Sequence, residues 1–237
     1  MTTATALVTG ANKGIGKHIA QQLATAGLSV YVGSRDAARG RAAVEEIGAA
    51  ARPLVLDVTD AASIAAAASQ VVQLDILVNN AGIGDDPHSA PDADVEDFRR
   101  IYETNVFGVV AVTNAFLPAL RRSPHPRIVN ISSGTGSLGR STGPSAFASA
   151  TGAMAAYRSS KTALNALTVF YAQALAGEGF KVNALAPGLR ATDLNAIAAA
   201  SDNDPAEGAA GAVRLALLPD DGPTGEFFSW DGTTVPW

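Results

Sequence analysis

The 237-residue sequence has no cysteine, which excludes disulfides, thiolate metal sites and cysteine nucleophiles together. Histidine is scarce: His18, His88 and His125 are scattered and show no ligand spacing, so no metal is expected. No apolar run approaches the roughly 18 residues that a spanning helix needs. Positive charge is in deficit, with 17 Lys and Arg against 22 Asp and Glu for a net charge of -5. That balance offers nothing to a nucleic-acid backbone or to an anionic membrane surface. The opening MTTATALVTG has no basic stretch and runs straight into a strand pattern, unlike a secretory signal. A cytoplasmic protein is the expectation.

Hydrophobic residues make up 47% of the chain, which argues against disorder. The length fits one α/β domain with a full core. No linker divides the chain and no repeat occurs. Alanine-rich stretches at 37–51, 61–68 and 196–212 fit helix propensity and carry no function.

Short apolar, β-branched runs alternate with longer helical patterns. Strands are expected over Ala4–Thr9, Ser29–Gly33, Arg52–Asp57, Asp75–Asn79, Arg127–Ser132, Lys181–Ala186 and Gly225–Phe228. Helices are expected over Ile15–Ala26, Asp36–Ile47, Ala61–Val72, Val95–Leu120, Met154–Ala176 and Pro205–Leu218. This alternation predicts a doubly wound parallel sheet with helices on both faces, the single-domain Rossmann architecture. Such sheets bind ligands beyond the carboxyl ends of their strands. Two segments interrupt the pattern at that end, Gly134–Gly152 and Leu189–Asp204, and are read as substrate loops spanning about 134–156 and 189–204.

The first strand leads into Thr9-Gly10-Ala11-Asn12-Lys13-Gly14-Ile15-Gly16. Glycines there permit a tight turn and close approach of a pyrophosphate, and the next helix offers its N-terminus to the phosphates. Alone, such a turn is a weak signal. Tyr157-Arg158-Ser159-Ser160-Lys161 is sharper, because residues four apart share one helix face. A cation beside a tyrosine brings its pKa from about 10 toward the working pH.

The Gly-x-x-x-Gly-x-Gly turn after a threonine, with Tyr-x-x-x-Lys further on, resembles the short-chain dehydrogenase/reductase family. Asn79-Asn80-Ala81-Gly82 stands where that family shapes the cofactor side of the sheet. The resemblance implies an adenine contact at Asp57 and Val58, and a nicotinamide carboxamide contact at Pro187, Gly188 and Thr192. It implies a catalytic tetrad of Asn105, Ser133, Tyr157 and Lys161. Ser133 would hydrogen-bond the substrate oxygen, and Lys161 would contact the nicotinamide ribose. Asn105 would distort its helix and order a water linked to the lysine. Asparagine is indeed a poor helix-interior residue. The cofactor-binding set is then Gly10, Asn12, Lys13, Gly14, Ile15, Gly16, Arg35, Asp57, Val58, Asn80, Ala81, Gly82, Tyr157, Lys161, Pro187, Gly188 and Thr192.

Cofactor choice follows from charge. An acidic residue after the second strand would bind the ribose hydroxyls of NAD and repel a 2′-phosphate. That strand instead ends in Gly33-Ser34-Arg35. Arg35 and Lys13 are suited to a phosphate, while Asp36 falls in the first turn of the next helix. NADPH is therefore expected. The expected reaction is reduction of a small-molecule carbonyl to an alcohol, with Tyr157 as general acid.

Ser133 to Tyr157 spans twice the usual dozen or so residues of the family. The extra length carries Arg140, Thr142, Pro144 and Phe147 as its distinctive side chains. Longer segments here resemble the monomeric carbonyl reductases, as do Ser34-Arg35-Asp36 with Arg39-Gly40, and Gly222-Pro223-Thr224-Gly225-Glu226-Phe227-Phe228. Monomer and homo-oligomer, dimer or tetramer, both remain open. Trp230 and Trp237 are read as anchors of the C-terminal stretch. The competing readings are alcohol oxidation on the same groups and a non-catalytic NADPH-binding regulator. Epimerases with this motif are longer, and enoyl reductases space the pair more widely.

Overall fold

A computed structural model describes residues 3–84, 88–142 and 152–237. In chain order the elements begin with β1 (Thr5–Val8), α1 (Gly14–Thr25), β2 (Ser29–Ser34), α2 (Ala37–Ile47), β3 (Ala51–Val55), α3 (Ala61–Ser69) and β4 (Ile76–Asn79). Then come α4 (Val95–Tyr102), a π-helical turn (Glu103–Phe107), α5 (Gly108–Leu120) and β5 (Arg127–Ile131). The chain continues through α6 (Leu138–Thr142), α7 (Ala155–Ala174), β6 (Lys181–Ala186), α8 (Ala196–Ala199), α9 (Pro205–Ala216) and β7 (Phe227–Ser229). The expected strands and helices are present with ends shifted by a few residues, except that the helix expected over Val95–Leu120 is divided.

The seven strands form one parallel sheet in the order β3-β2-β1-β4-β5-β6-β7. The order reverses between β1 and β4, which opens a crevice beyond their carboxyl ends. Period-two alternation sends Ala6 and Val8 to one face and Leu7 to the other. The first face packs on Ile19, Leu23, Ala212 and Leu215 of α1 and α9. The second packs on Ile64, Val112, Phe116 and Ala172 of α3, α5 and α7. Strands β4 and β5 are buried throughout, as expected for a sheet covered on both faces.

Helices α2, α3, α4 and α9 begin at Asp36, Asp60, Asp94 and Asp204, whose carboxylates accept from the first free N–H groups. Asp36 is thus the cap of α2, one position before the first-turn place expected of it. The helix expected without a break over Val95–Leu120 is interrupted at 103–107, where the buried side chain of Asn105 leaves the helix to bond elsewhere. After β7 the chain doubles back. Ser229 N–H donates to Thr233 O at 2.7 Å and Val235 N–H to Phe227 O at 2.8 Å, covering the outer edge of the sheet. Trp237 stacks on Phe227 with ring centroids 5.4 Å apart.

Candidate active site

The glycine turn is held by β4. Thr9 Oγ1 accepts from the N–H groups of Asn80 (2.9 Å) and Ala81 (3.0 Å), and Asn80 Nδ2 donates to Thr9 O at 2.8 Å. Gly10 takes φ +63° and Gly14 φ +55°, conformations that side chains resist. A Cβ on Gly10 would stand 3.0 Å from Ala81 Cα, and one on Gly16 would stand 2.3 Å from Asn80 Nδ2. Helix α1 differs from the Asp-capped helices. Lys13 occupies its cap position with no side-chain cap bond, and its first turn has no acidic residue. Its unpaired N–H donors and positive end therefore suit an anion.

Arg35 is exposed just beyond β2. Asp57 accepts from Thr59 N–H at 3.0 Å and Thr59 Oγ1 at 2.8 Å. Those bonds, the backbone one first, hold its carboxyl below the usual range, with the Arg35 charge adding to them. Val58 is buried, and its carbonyl would stand 2.8 Å from a Cβ on Gly108. The ammonium of Lys13 lies 2.9 Å from Asp193 Oδ2, an ion pair between residues 180 apart in sequence.

The Pro187-Gly188 turn is braced by a residue that nothing in the sequence marked. Arg190 is buried, donates from Nε to Pro187 O at 2.8 Å and pairs with Glu207. Its guanidinium lies 4.4 Å from the Trp230 ring centroid. Trp230 thus packs beside the turn, where a Cβ on Gly188 would meet its Cδ1 at 3.1 Å. Thr192 faces Gly14 across the crevice, 3.5 Å from where a Cβ would stand.

The four residues expected to form a tetrad come together beyond β4 and β5. The chain enters α7 through Met154 in the left-handed conformation and presents Tyr157 on the first turn. Tyr157 is 7% exposed, and the nearby Ser133 hydroxyl favours its phenolate form. The Ser133 hydroxyl pairs with Thr135 Oγ1 at 2.9 Å. Lys161, one turn further, donates from Nζ to Ile131 O at 2.8 Å and lies 5.8 Å from the Tyr157 ring centroid. Burial lowers its pKa from 10.5 to about 8.

The tyrosine corrects the sequence-based expectation. The sequence predicts a fall beside the lysine, yet burial raises the pKa from its ordinary value and the Ser133 hydroxyl offsets only part of the rise. Desolvation of a phenolate dominates because the ring lies in an apolar cluster with Ile101 and Ala156.

Asn105 Oδ1 accepts from Ile83 N–H at 2.9 Å, and Nδ2 donates to Ile83 O at 2.9 Å and to Ser160 Oγ at 3.0 Å. Ser160 Oγ in turn donates to Tyr157 O at 2.7 Å. The π turn therefore ties the segment after β4 to the first turn of α7. Ser160 was invisible in the sequence, being one of the unspecified positions of Tyr-x-x-x-Lys. A Cβ on Gly82 would stand 3.3 Å from Asn105 Oδ1 and 3.4 Å from Lys161 Nζ, so a glycine there keeps these groups close. Ser132 is structural: its hydroxyl donates to Asn165 Oδ1.

Both expected substrate loops follow carboxyl ends of strands. A Cβ on Gly134, next to Ser133, would meet Arg140 Nη1 at 3.0 Å. Gly139 N–H donates to Trp237 O at 2.7 Å. Pro144 and Phe147 lie outside the described residues. In the second loop, Leu194 joins the Tyr157 cluster, and Asn195 Nδ2 donates to Gly84 O at 2.9 Å.

The short chain dehydrogenase family model matches residues 4–203, and the chain belongs to that family of oxidoreductases, whose cofactors are nicotinamide nucleotides. It is 35% identical to (-)-isopiperitenone reductase of Mentha piperita, covering 95% of this chain and 96% of that one. Among solved structures it resembles NADPH-bound carbonyl reductase from chicken fatty liver, with TM-score 0.85, 27% identity and full coverage of both chains. It also resembles 3-ketoacyl-(acyl-carrier-protein) reductase of Brucella melitensis complexed with NADH, with TM-score 0.82, 28% identity and coverage of 95% and 96%.

Proposed function

We propose that this protein reduces the carbonyl group of a small molecule to an alcohol with NADPH, using Tyr157 as the general acid. The observation that carries the reading is a buried Tyr157 with the Lys161 ammonium one helical turn away, 5.8 Å from the ring centroid, and the Ser133 hydroxyl nearby.

The residues present fit a dinucleotide. Side chains at Gly10 or Gly16 would collide with Ala81 or Asn80, and α1 offers the N–H donors of a first turn that itself contains no acidic residue. Gly10, Asn12, Gly14, Ile15 and Gly16 would hold the pyrophosphate. Lys13 and Arg35 would take the 2′-phosphate, and Asp57 with Val58 the adenine. Asn80, Ala81 and Gly82 would line the ribose side, and Pro187, Gly188 and Thr192 the carboxamide. When bound, the cofactor supplies the hydride.

The chain's own residues handle the oxygen. Ser133 and Tyr157 donate hydrogen bonds to it as its negative charge grows. Tyr157 then releases its proton to the nascent alkoxide. The phenol is protonated near neutrality, and burial, by raising its pKa, makes its proton harder to release until a nearby cation steadies the phenolate. Lys161 holds a positive charge beneath the ring and steadies the transient phenolate. Asn105, through Ser160, fixes the first turn of α7 on which Tyr157 stands.

The test is cofactor consumption with aldehydes, ketones, diketones and quinones, run with NADPH and NADH in parallel. Turnover of a carbonyl with a preference for NADPH is the expected result. Faster turnover with NADH would overturn the roles given to Lys13 and Arg35. Binding of NADPH with no turnover of any carbonyl would favour a regulatory role.

A further inference from the structure

Residues 192–195 bridge the two ends of the crevice. Thr192 packs toward Gly14, Leu194 packs in the cluster around Tyr157, and Asn195 bonds Gly84 O. Between them, Asp193 holds the Lys13 ammonium at 2.9 Å. Lys13 is the cation assigned above to the cofactor 2′-phosphate. It is a compact charge on a flexible stem. Both partners are exposed, with side chains 57% and 75% accessible, so the pair can exchange for another anion without disturbing the core.

We infer that Asp193 is a specificity-determining residue that competes with the 2′-phosphate for Lys13 and so moderates the preference for NADPH over NADH. The inference rests on the proposed NADPH reading. NADH carries only a hydroxyl at that carbon and makes no comparable claim on an ammonium. The Lys13–Asp193 pair therefore opposes one cofactor selectively. Arg35 lies beyond β2, and its charge acts on Asp57, which Thr59 already engages. Asp193 also neighbours Leu194, so its release from Lys13 would free one fastening of the segment that packs against Tyr157.

The experiment is a binding titration of NADPH and NADH by fluorescence, on the wild type, Asp193→Asn, Lys13→Ala and the double variant. Asp193→Asn should tighten NADPH by about two- to fivefold, the scale of an exposed ion pair, and change NADH less. In the Lys13→Ala background the same change should leave the ratio of the two affinities unmoved. If Asp193→Asn leaves the ratio unchanged or weakens NADPH, while Lys13→Ala lowers NADPH affinity, the competition is refuted and the cofactor reading survives. If Lys13→Ala also leaves the ratio unchanged, Lys13 is no phosphate ligand, and its assigned role fails together with the inference.

Discussion

Lys161 donates to the carbonyl of Ile131 at 2.8 Å and lies 5.8 Å from the ring centroid of Tyr157. The ammonium is thus fixed by a strand-end carbonyl under the ring, where burial makes its charge costly.

That cost has a pH signature. The lysine pKa falls from 10.5 to about 8 in the folded protein. Between those values the unfolded chain binds more protons, so this group's contribution makes stability rise with pH across that window. Below about 8 the penalty is complete, on the order of 3 kcal/mol. Lys161→Met should therefore raise stability at neutral pH by about 1–3 kcal/mol, less the lost bond to Ile131, while abolishing activity. The gain should shrink as pH approaches the unfolded value. Urea unfolding midpoints across pH check this, and a loss of stability at neutral pH would contradict it.

Asn105 uses its amide to satisfy both backbone groups of Ile83 and the hydroxyl of Ser160. Asn105→Ala leaves buried donors and acceptors unpaired. We expect a loss of about 2–4 kcal/mol by urea unfolding and a fall in kcat, since the first turn of α7 loses its tie. An unchanged midpoint would show that the π turn stands without this side chain.

How much of this was legible in the chain depended on the range of the interaction. The glycine turn and the Tyr-x-x-x-Lys pair are local, and one helix or one turn places their members together. A parallel sheet with helices on both faces followed from alternation, because each face must be covered, whereas the strand order rests on pairings distant in sequence. Ser160, Arg190 and Asp193 were not legible, since their meaning lies in partners distant in sequence: Asn105, Trp230 and Lys13. The direction of the Tyr157 shift failed for a related reason. A neighbouring cation is visible in the sequence, whereas the depth of burial that opposes it belongs to the fold.

Arg35 should decide the cofactor. It is exposed beyond β2, and no acidic residue of the strand competes for a phosphate there. Arg35→Ser should raise KM for NADPH by about 10- to 100-fold, the worth of a charge-assisted bond, and leave KM for NADH nearly unchanged. Steady-state kinetics with each cofactor measures it. Equal losses for both cofactors would show that Arg35 acts through the fold.

The most direct test is the rate of NADPH consumption with a reducible carbonyl, wild type against Tyr157→Phe, with NADPH binding measured on both. The ring fills the same buried cluster without its hydroxyl, so folding and cofactor affinity should persist. Loss of turnover by about 10²- to 10⁴-fold or more with binding intact is the predicted result. Turnover near the wild-type rate in the phenylalanine variant would contradict the assignment of Tyr157 as the acid.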